Sequence, residues 1–261
     1  MKIALVSLDQ VWEDKEANRH LCIQYIKKAK DAGAQLTIFP EMTLTGFSMN
    51  TRHIQENLSD SDTIPFFKEL AQEYGMAIVF GIVLGKMDKA TNNMVVIDHE
   101  GNILTRYEKI HPFTFANEDQ FYIGGNELAT AELNGICLGC TICYDLRFPE
   151  LFSALGTQCD MIINIANWPE KRVDHWHTLL KARAIENQLF IIGVNRTGTD
   201  GTGLSYVKSS SIINANGDTL SPLSSDNCLE VFEVLPEYTS NYKKSFSTTQ
   251  DRKPDLYKKM L

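Results

Sequence analysis

The chain has 261 residues, 43% hydrophobic and 22% charged, enough to bury a large core, and no linker-like stretch divides it, so residues 1–261 are expected to form one domain. A formal net charge of -8 leaves no clustered surplus of Lys and Arg for a nucleic-acid backbone. The N-terminal stretch IALVSL is too short for a signal-peptide core, no apolar run reaches bilayer length, and six cysteines are not a disulfide density, so a cytoplasmic protein with free thiols and no membrane association is expected.

KIALVSL reads as a first strand. Over 13–32, Ala17, Leu21, Tyr25 or Cys22, Ile26 and Ala29 share a face at helical spacing, which predicts an amphipathic helix lying on a sheet. QLTIFP is the next strand and runs directly into Glu41 of FPEMTLTGF. A helix over 64–74 precedes the strands MAIVFGIVL and NMVVIDH, and a turn at 99–102 leads into GNILTRYEKI, whose end is Lys109. ATAELN and ICLGCTIC follow, the latter ending at Cys143 just before a helix over 148–155. DMIINIAN, a helix over 174–187, FIIGVNR, SSIINANG, CLEVFEVL and a helix over 237–243 complete the chain. More than ten strands with few helices, some paired through tight turns, fit two packed mixed sheets flanked by helices in an α/β fold.

Three chemically distinct groups therefore stand at strand ends: the Glu41 carboxylate, the Lys109 ammonium and the Cys143 thiol. Groups so placed can converge on one sheet edge, and together they suit attack on a carbon–nitrogen bond through a thioester. A nearby base and cation would raise the usable thiolate of Cys143, and Lys109 with a backbone N–H after Cys143 would receive an oxyanion. Singly, each has a plainer use: a helix-start charge, a solvated strand-end lysine, a buried thiol. The run CLGCTIC is not a metal motif. Along a strand Cys140 faces away from Cys137 and Cys143, which would lie roughly 20 Å apart at ~3.3 Å per residue, so Cys137 and Cys140 are expected to be buried structural thiols. His111 is the imidazole nearest a motif and defines a competing Cys-His mechanism. His175 and His177 do not share a helical face and make poor metal partners. No glycine-rich phosphate loop appears, and catalysis without a cofactor or metal is expected.

Through FPEMTLTGF, YEKIHPF, CTICYDLRFPE and KARAIENQLFIIGVNRTGTDG, in that order along nearly the whole chain, the sequence resembles the nitrilase superfamily of carbon–nitrogen hydrolases. The resemblance implies a four-layer α-β-β-α sandwich, commonly a homodimer, with a catalytic triad carried onto Glu41, Lys109 and Cys143. It also implies a second glutamate after the lysine, here Glu118 in FTFANEDQF, whose plainer role is a surface loop acid. FPEMTLTGFSM, ANED, NIANWPEKR and NRTGTDG look most like the bacterial omega-amidase branch, whose substrates are small dicarboxylic monoamides such as 2-oxoglutaramate. A free carboxylate on the substrate calls for a guanidinium. Arg172 is the first candidate, with Arg147 and Arg196 as structural or interface alternatives, and Trp168, Phe113 and Tyr144 are candidate pocket walls. An N-carbamoyl amine amidase or a nitrilase would use the same triad, and a non-catalytic scaffold is the reading of another class. Lys208 stands where the family often has a glycine, which bears on substrate choice only if that segment reaches the pocket. Arg183 and Glu186 in RAIENQ read as an internal structural pair.

Overall fold

The computed structural model describes residues 1–260. One sheet contains β1 (Lys2–Val6), β2 (Leu36–Ile38), β3 (Ala77–Lys86), β4 (Lys89–Ile97) and β5 (Ile103–Glu108). The other contains β6 (Thr130–Leu133), β7 (Ile136–Ile142), β8 (Met161–Ala166) and β9 (Phe190–Asn195). A two-residue pair, β10 (Gly198–Thr199) and β11 (Ser205–Tyr206), stands apart. Then β12 (Ser211–Ile213) joins the second sheet, and β13 (Ser224–Ser225) and β14 (Leu229–Glu233) return to the first. The sheet orders are β13-β14-β1-β2-β3-β4-β5 and β12-β9-β8-β7-β6. Both are mixed: β1, β2 and β3 are parallel neighbours, as are β7, β8 and β9, while the remaining pairs are antiparallel.

Side-chain alternation builds four layers. Along β1, Ile3 and Leu5 turn toward the second sheet, where they join Leu138, Cys140, Ile142, Ile163 and Ile192 in one apolar layer. Ala4 and Val6 turn the other way, onto Cys22, Ile26 and Ala29 of helix α1 (Lys15–Asp31) and Phe67 and Leu70 of a helix over Thr63–Tyr74. The outer face of the second sheet packs Ile162 and Ile191 against the helices Pro149–Leu155 and Val173–Asn187. The α-β-β-α sandwich is thus present. Its central strands read as unbroken apolar runs because both of their faces are covered.

Two expectations shift in detail. The buried stripe of α1 is Asn18, Cys22, Ile26 and Ala29, one position off the Ala17–Leu21–Tyr25 line. Asn18 enters it because its amide nitrogen donates to the carbonyls of Val11, Asp14 and Leu44, which removes the cost of burying it. Cys140 is buried between the sheets as expected, but Cys137 is only half-buried, with Cys159 Sγ 3.7 Å from its own sulfur. Among the described residues no helix is long and apolar enough to cross a membrane.

Candidate active site

The chain leaves β2 through Phe39 and Pro40 and folds Glu41–Thr45 into a tight turn against the middle of β3. The Gly81 N–H donates to Thr43 Oγ1 at 2.8 Å, and Thr43 N–H donates back to the Gly81 carbonyl at 3.0 Å. A Cβ on Gly81 would lie 2.3 Å from the Met42 nitrogen, so this close approach requires glycine there. Gln10 clamps the turn from the other side, its amide donating to the carbonyls of Glu41, Met42 and Thr43. The Glu41 side chain is fully buried and accepts from Asn92 Nδ2 at 2.7 Å, the Asn167 N–H at 2.9 Å and Lys109 Nζ at 3.1 Å.

Lys109 follows β5 directly. Its ammonium also donates to Glu118 at 2.8 and 3.1 Å, and Asn92 Nδ2 reaches Glu118 at 3.3 Å, so one asparagine steadies both carboxylates. Glu118 is fully buried at the start of a single helical turn over Glu118–Phe121 and accepts the Phe113 N–H, so it is no surface acid. Burial alone would push the Lys109 pKa down, but Glu118 and Glu41 overcome that and hold it well above its ordinary value. Glu118 itself is pushed up by burial, with Lys109 pulling down and Glu41 adding to the rise.

Cys143 begins where β7 ends. Its φ of +47° places the nucleophile candidate in the left-handed region, at the head of a 3-10 turn over Cys143–Arg147. Asp145 pins this turn: one carboxylate oxygen accepts the Ile142 N–H and the Tyr107 hydroxyl, the other the His111 N–H and contacts His111 Nδ1 at 2.8 Å. The His111 ring stacks on Phe148 with centroids 3.7 Å apart. The imidazole is thereby committed to Asp145 and Phe148, and the charged groups that bear on the Cys143 thiol are Glu41, Lys109 and Glu118. Burial and the two carboxylates raise the thiol pKa well above its usual value, while Lys109 pulls it down. Burial first, and then the two carboxylates against the one ammonium, favour the neutral thiol over the enriched thiolate that the sequence led us to expect.

Above these groups lies a cavity of about 460 Å³, lined by Cys143, Asn167, Trp12, Phe47, Met49, Phe113, Tyr144, Trp168 and Tyr206 together with Glu13, Arg147, Arg172 and Asp200. Phe113, Tyr144 and Trp168 are therefore wall residues as expected from position. Trp168 is 3% exposed, and its indole N–H donates to the Arg172 carbonyl at 2.7 Å, which fixes the segment carrying that arginine. The Arg172 guanidinium lies 5.5 Å from the Phe113 ring centroid and that of Arg147 lies 4.8 Å from the Trp168 ring. Glu13 accepts from Ser48 and Asn50, and Asp200 from Thr202, Leu204 and Tyr206, so both acids are engaged with the protein. Among the described residues neither Arg147 nor Arg172 has an ion-pair partner. Arg196 is fully buried on Asp9, Gln10 and Tyr206 and has a structural place. The segment that carries Lys208 does reach the cavity, through Leu204 and Tyr206, but Lys208 itself bonds Ser225, Asp226 and Glu230 at the sheet margin and does not line it.

A family model described as carbon-nitrogen hydrolase matches residues 2–235. The chain belongs to the carbon–nitrogen hydrolase family. It is 31% identical over 99% of its length to "Hydrolase in agr operon" of Staphylococcus aureus, covering 100% of that protein. It is 35% identical to omega-amidase YafV of Yersinia enterocolitica over 84% of this chain and 83% of that one, and 31% identical to 2-oxoglutaramate amidase of Bacillus subtilis over 86% and 87%. XC1258 from Xanthomonas campestris, a CN-hydrolase superfamily protein solved with an arsenic adduct in its active site, matches with a TM-score of 0.86 at 29% identity over 97% of each chain. An amidase from Nesterenkonia, at 22% identity and a TM-score of 0.86, shares the fold.

In this carbon–nitrogen hydrolase the polar frame around the site escaped the sequence reading. Asn92, Asn167, Gln10 and Asp145 are each buried or nearly so and each bonds a segment carrying Glu41, Lys109 or Cys143. The pair Asn92-Asn93 next to the apolar run Met94–Ile97 of β4 was the available signal, since an asparagine buried in a strand needs polar partners.

Proposed function

We propose that the protein hydrolyses the terminal amide of a small dicarboxylic monoamide of the 2-oxoglutaramate or succinamate type, releasing ammonia through a thioester on Cys143. The observation that carries the reading is the pair of guanidinia, Arg147 and Arg172, on the wall of the same cavity that holds Cys143, neither with an ion-pair partner among the described residues. A guanidinium near apolar walls binds a carboxylate more strongly than it binds water, and the amide at the other end of a short chain can then reach the thiol. The similarity to omega-amidase and 2-oxoglutaramate amidase relatives supports the same substrate class.

In this mechanism Glu41 takes the Cys143 proton as the sulfur attacks the amide carbon, so the thiolate forms only during attack. Lys109, kept protonated by Glu41 and Glu118, and the Tyr144 N–H stabilise the oxyanion. The C–N bond breaks as Glu41 returns the proton to the leaving nitrogen, giving ammonia and the acyl thioester. Water then adds with Glu41 as base, the C–S bond breaks, and the acid leaves with the thiol restored. Glu118 acts by positioning the ammonium.

Ammonia release is measured with 2-oxoglutaramate, succinamate, butyramide and N-carbamoyl-β-alanine. Turnover of the first two, with butyramide at least roughly tenfold poorer in kcat/KM, is expected from a guanidinium contact. Equal turnover of butyramide, or turnover of the carbamoyl compound alone, would overturn the substrate class.

A further inference from the structure

A second thiol site lies on the outer face of the second sheet, away from the cavity. Cys137 Sγ and Cys159 Sγ are 3.7 Å apart. The backbone holds them there: Cys137 N–H donates to the Asp160 carboxylate and Asp160 N–H donates to the Cys137 carbonyl, both at 2.9 Å, while Cys159 N–H caps the preceding helix through the Leu155 carbonyl at 2.9 Å. Cys159 thus sits one residue before the position opposite Cys137. Strand spacing of ~4.8 Å and a rise of ~3.3 Å put the two Cα atoms roughly 6 Å apart, inside the ~4.4–6.8 Å range a disulfide accepts. Gly139 leaves the room, since a Cβ there would stand 3.0 Å from Cys159 Sγ. Cys137 is half-buried and Cys159 is 4% exposed, so a reagent from solvent meets Cys137 first.

We propose that Cys137 and Cys159 form an oxidation site in which a hydroperoxide converts the two thiols into a disulfide. The Cys137 sulfur attacks the peroxide oxygen, the O–O bond breaks, and a sulfenic acid and one hydroxyl equivalent result. The Cys159 sulfur then attacks the Cys137 sulfur, the S–O bond of the sulfenic acid breaks, its hydroxyl leaves as water with the Cys159 proton, and the S–S bond forms. Two thiols lose two protons and two electrons, and hydrogen peroxide becomes two waters. Lys243 lies near this pair, where burial lowers its pKa and Asp160 and Cys159 act against that. Burial raises the Cys159 thiol pKa, which fits its place as the second sulfur to react. The bond joins residues 22 apart and closes the segment that contains β7, the Cys143 turn and the following helix.

The reduced full-length protein is treated with hydrogen peroxide and mapped by mass spectrometry without reduction, with fragmentation to separate Cys137 from Cys140 and Cys143. A Cys137–Cys159 link is expected in the wild type and in Cys143→Ala, absent in Cys137→Ser and lost on treatment with dithiothreitol. The oxidised wild type should melt roughly 5 °C higher than the reduced form. Oxidation confined to Cys143, a stable sulfenic or sulfinic acid on Cys137 with Cys159 left as thiol, or a link to any other cysteine would overturn the proposal.

Discussion

At Cys143 the decisive fact is burial, which raises the thiol pKa, with two buried carboxylates adding to the rise and one buried ammonium opposing it. A raised thiol pKa favours the neutral form, so its contribution to stability is complete below the free thiol value of about 8.5 and is lost as pH rises through the higher folded value. The Lys109 ion pairs, raised likewise, are complete below about 10.4 and lost only beyond it. Modification of Cys143 by methyl methanethiosulfonate is accordingly expected to stay slow through neutral pH and to climb only above about 8.5; a plateau already reached at pH 7 would mean a resting thiolate. Arg172→Met should raise KM for succinamate roughly 10- to 100-fold with kcat within about threefold, the mark of lost ground-state and transition-state binding alike. An unchanged KM would move the carboxylate contact to Arg147. Their combination at strand ends, together with the family motifs that carry them, made Glu41, Lys109 and Cys143 legible in the sequence. The raised thiol pKa was not legible, because it follows chiefly from burial of Cys143 beside Glu41, and burial is decided by the packing of the two sheets.

Elements bring these groups into range. β2, β5 and β7 end at one edge of the sandwich, and each releases its functional residue within three positions of the last paired residue. The strand ends were visible as boundaries of apolar runs. The turns beyond them were not: the left-handed φ of Cys143 and the fold-back at Met42 arise from bonds to Asp145 and from the missing side chain of Gly81, which lie elsewhere in the sequence. Asp145→Ala tests how far the turn depends on its pin. Removing four acceptor contacts from a fully buried site should cost about 3 kcal/mol in stability, read from urea denaturation. It should also lower kcat, since Cys143 would no longer be held toward Glu41. A variant with native stability and native kcat would show that the turn is set by its own backbone.

The whole molecule supplies what no single element can, because residues 41, 109, 118 and 143 meet only when the two sheets pack face to face. The layer order was legible, since long apolar runs alternating with amphipathic segments leave few ways to cover two sheets. The two-residue strands β10, β11 and β13 were not. Such short pairings are decided by the loops that carry them, as where Asp200 gathers Thr202, Leu204 and Tyr206 beside the cavity. Convergence of these distant positions on one reactive sulfur is the centre of the account, and it is tested most directly by trapping the intermediate. The protein is mixed with succinamate, quenched in acid within a turnover and analysed by intact mass and peptide mapping. The account predicts a succinyl group on Cys143, absent in Cys143→Ala and accompanied by one equivalent of ammonia. Ammonia release that persists in Cys143→Ala, or an acyl group on any other residue, would contradict it.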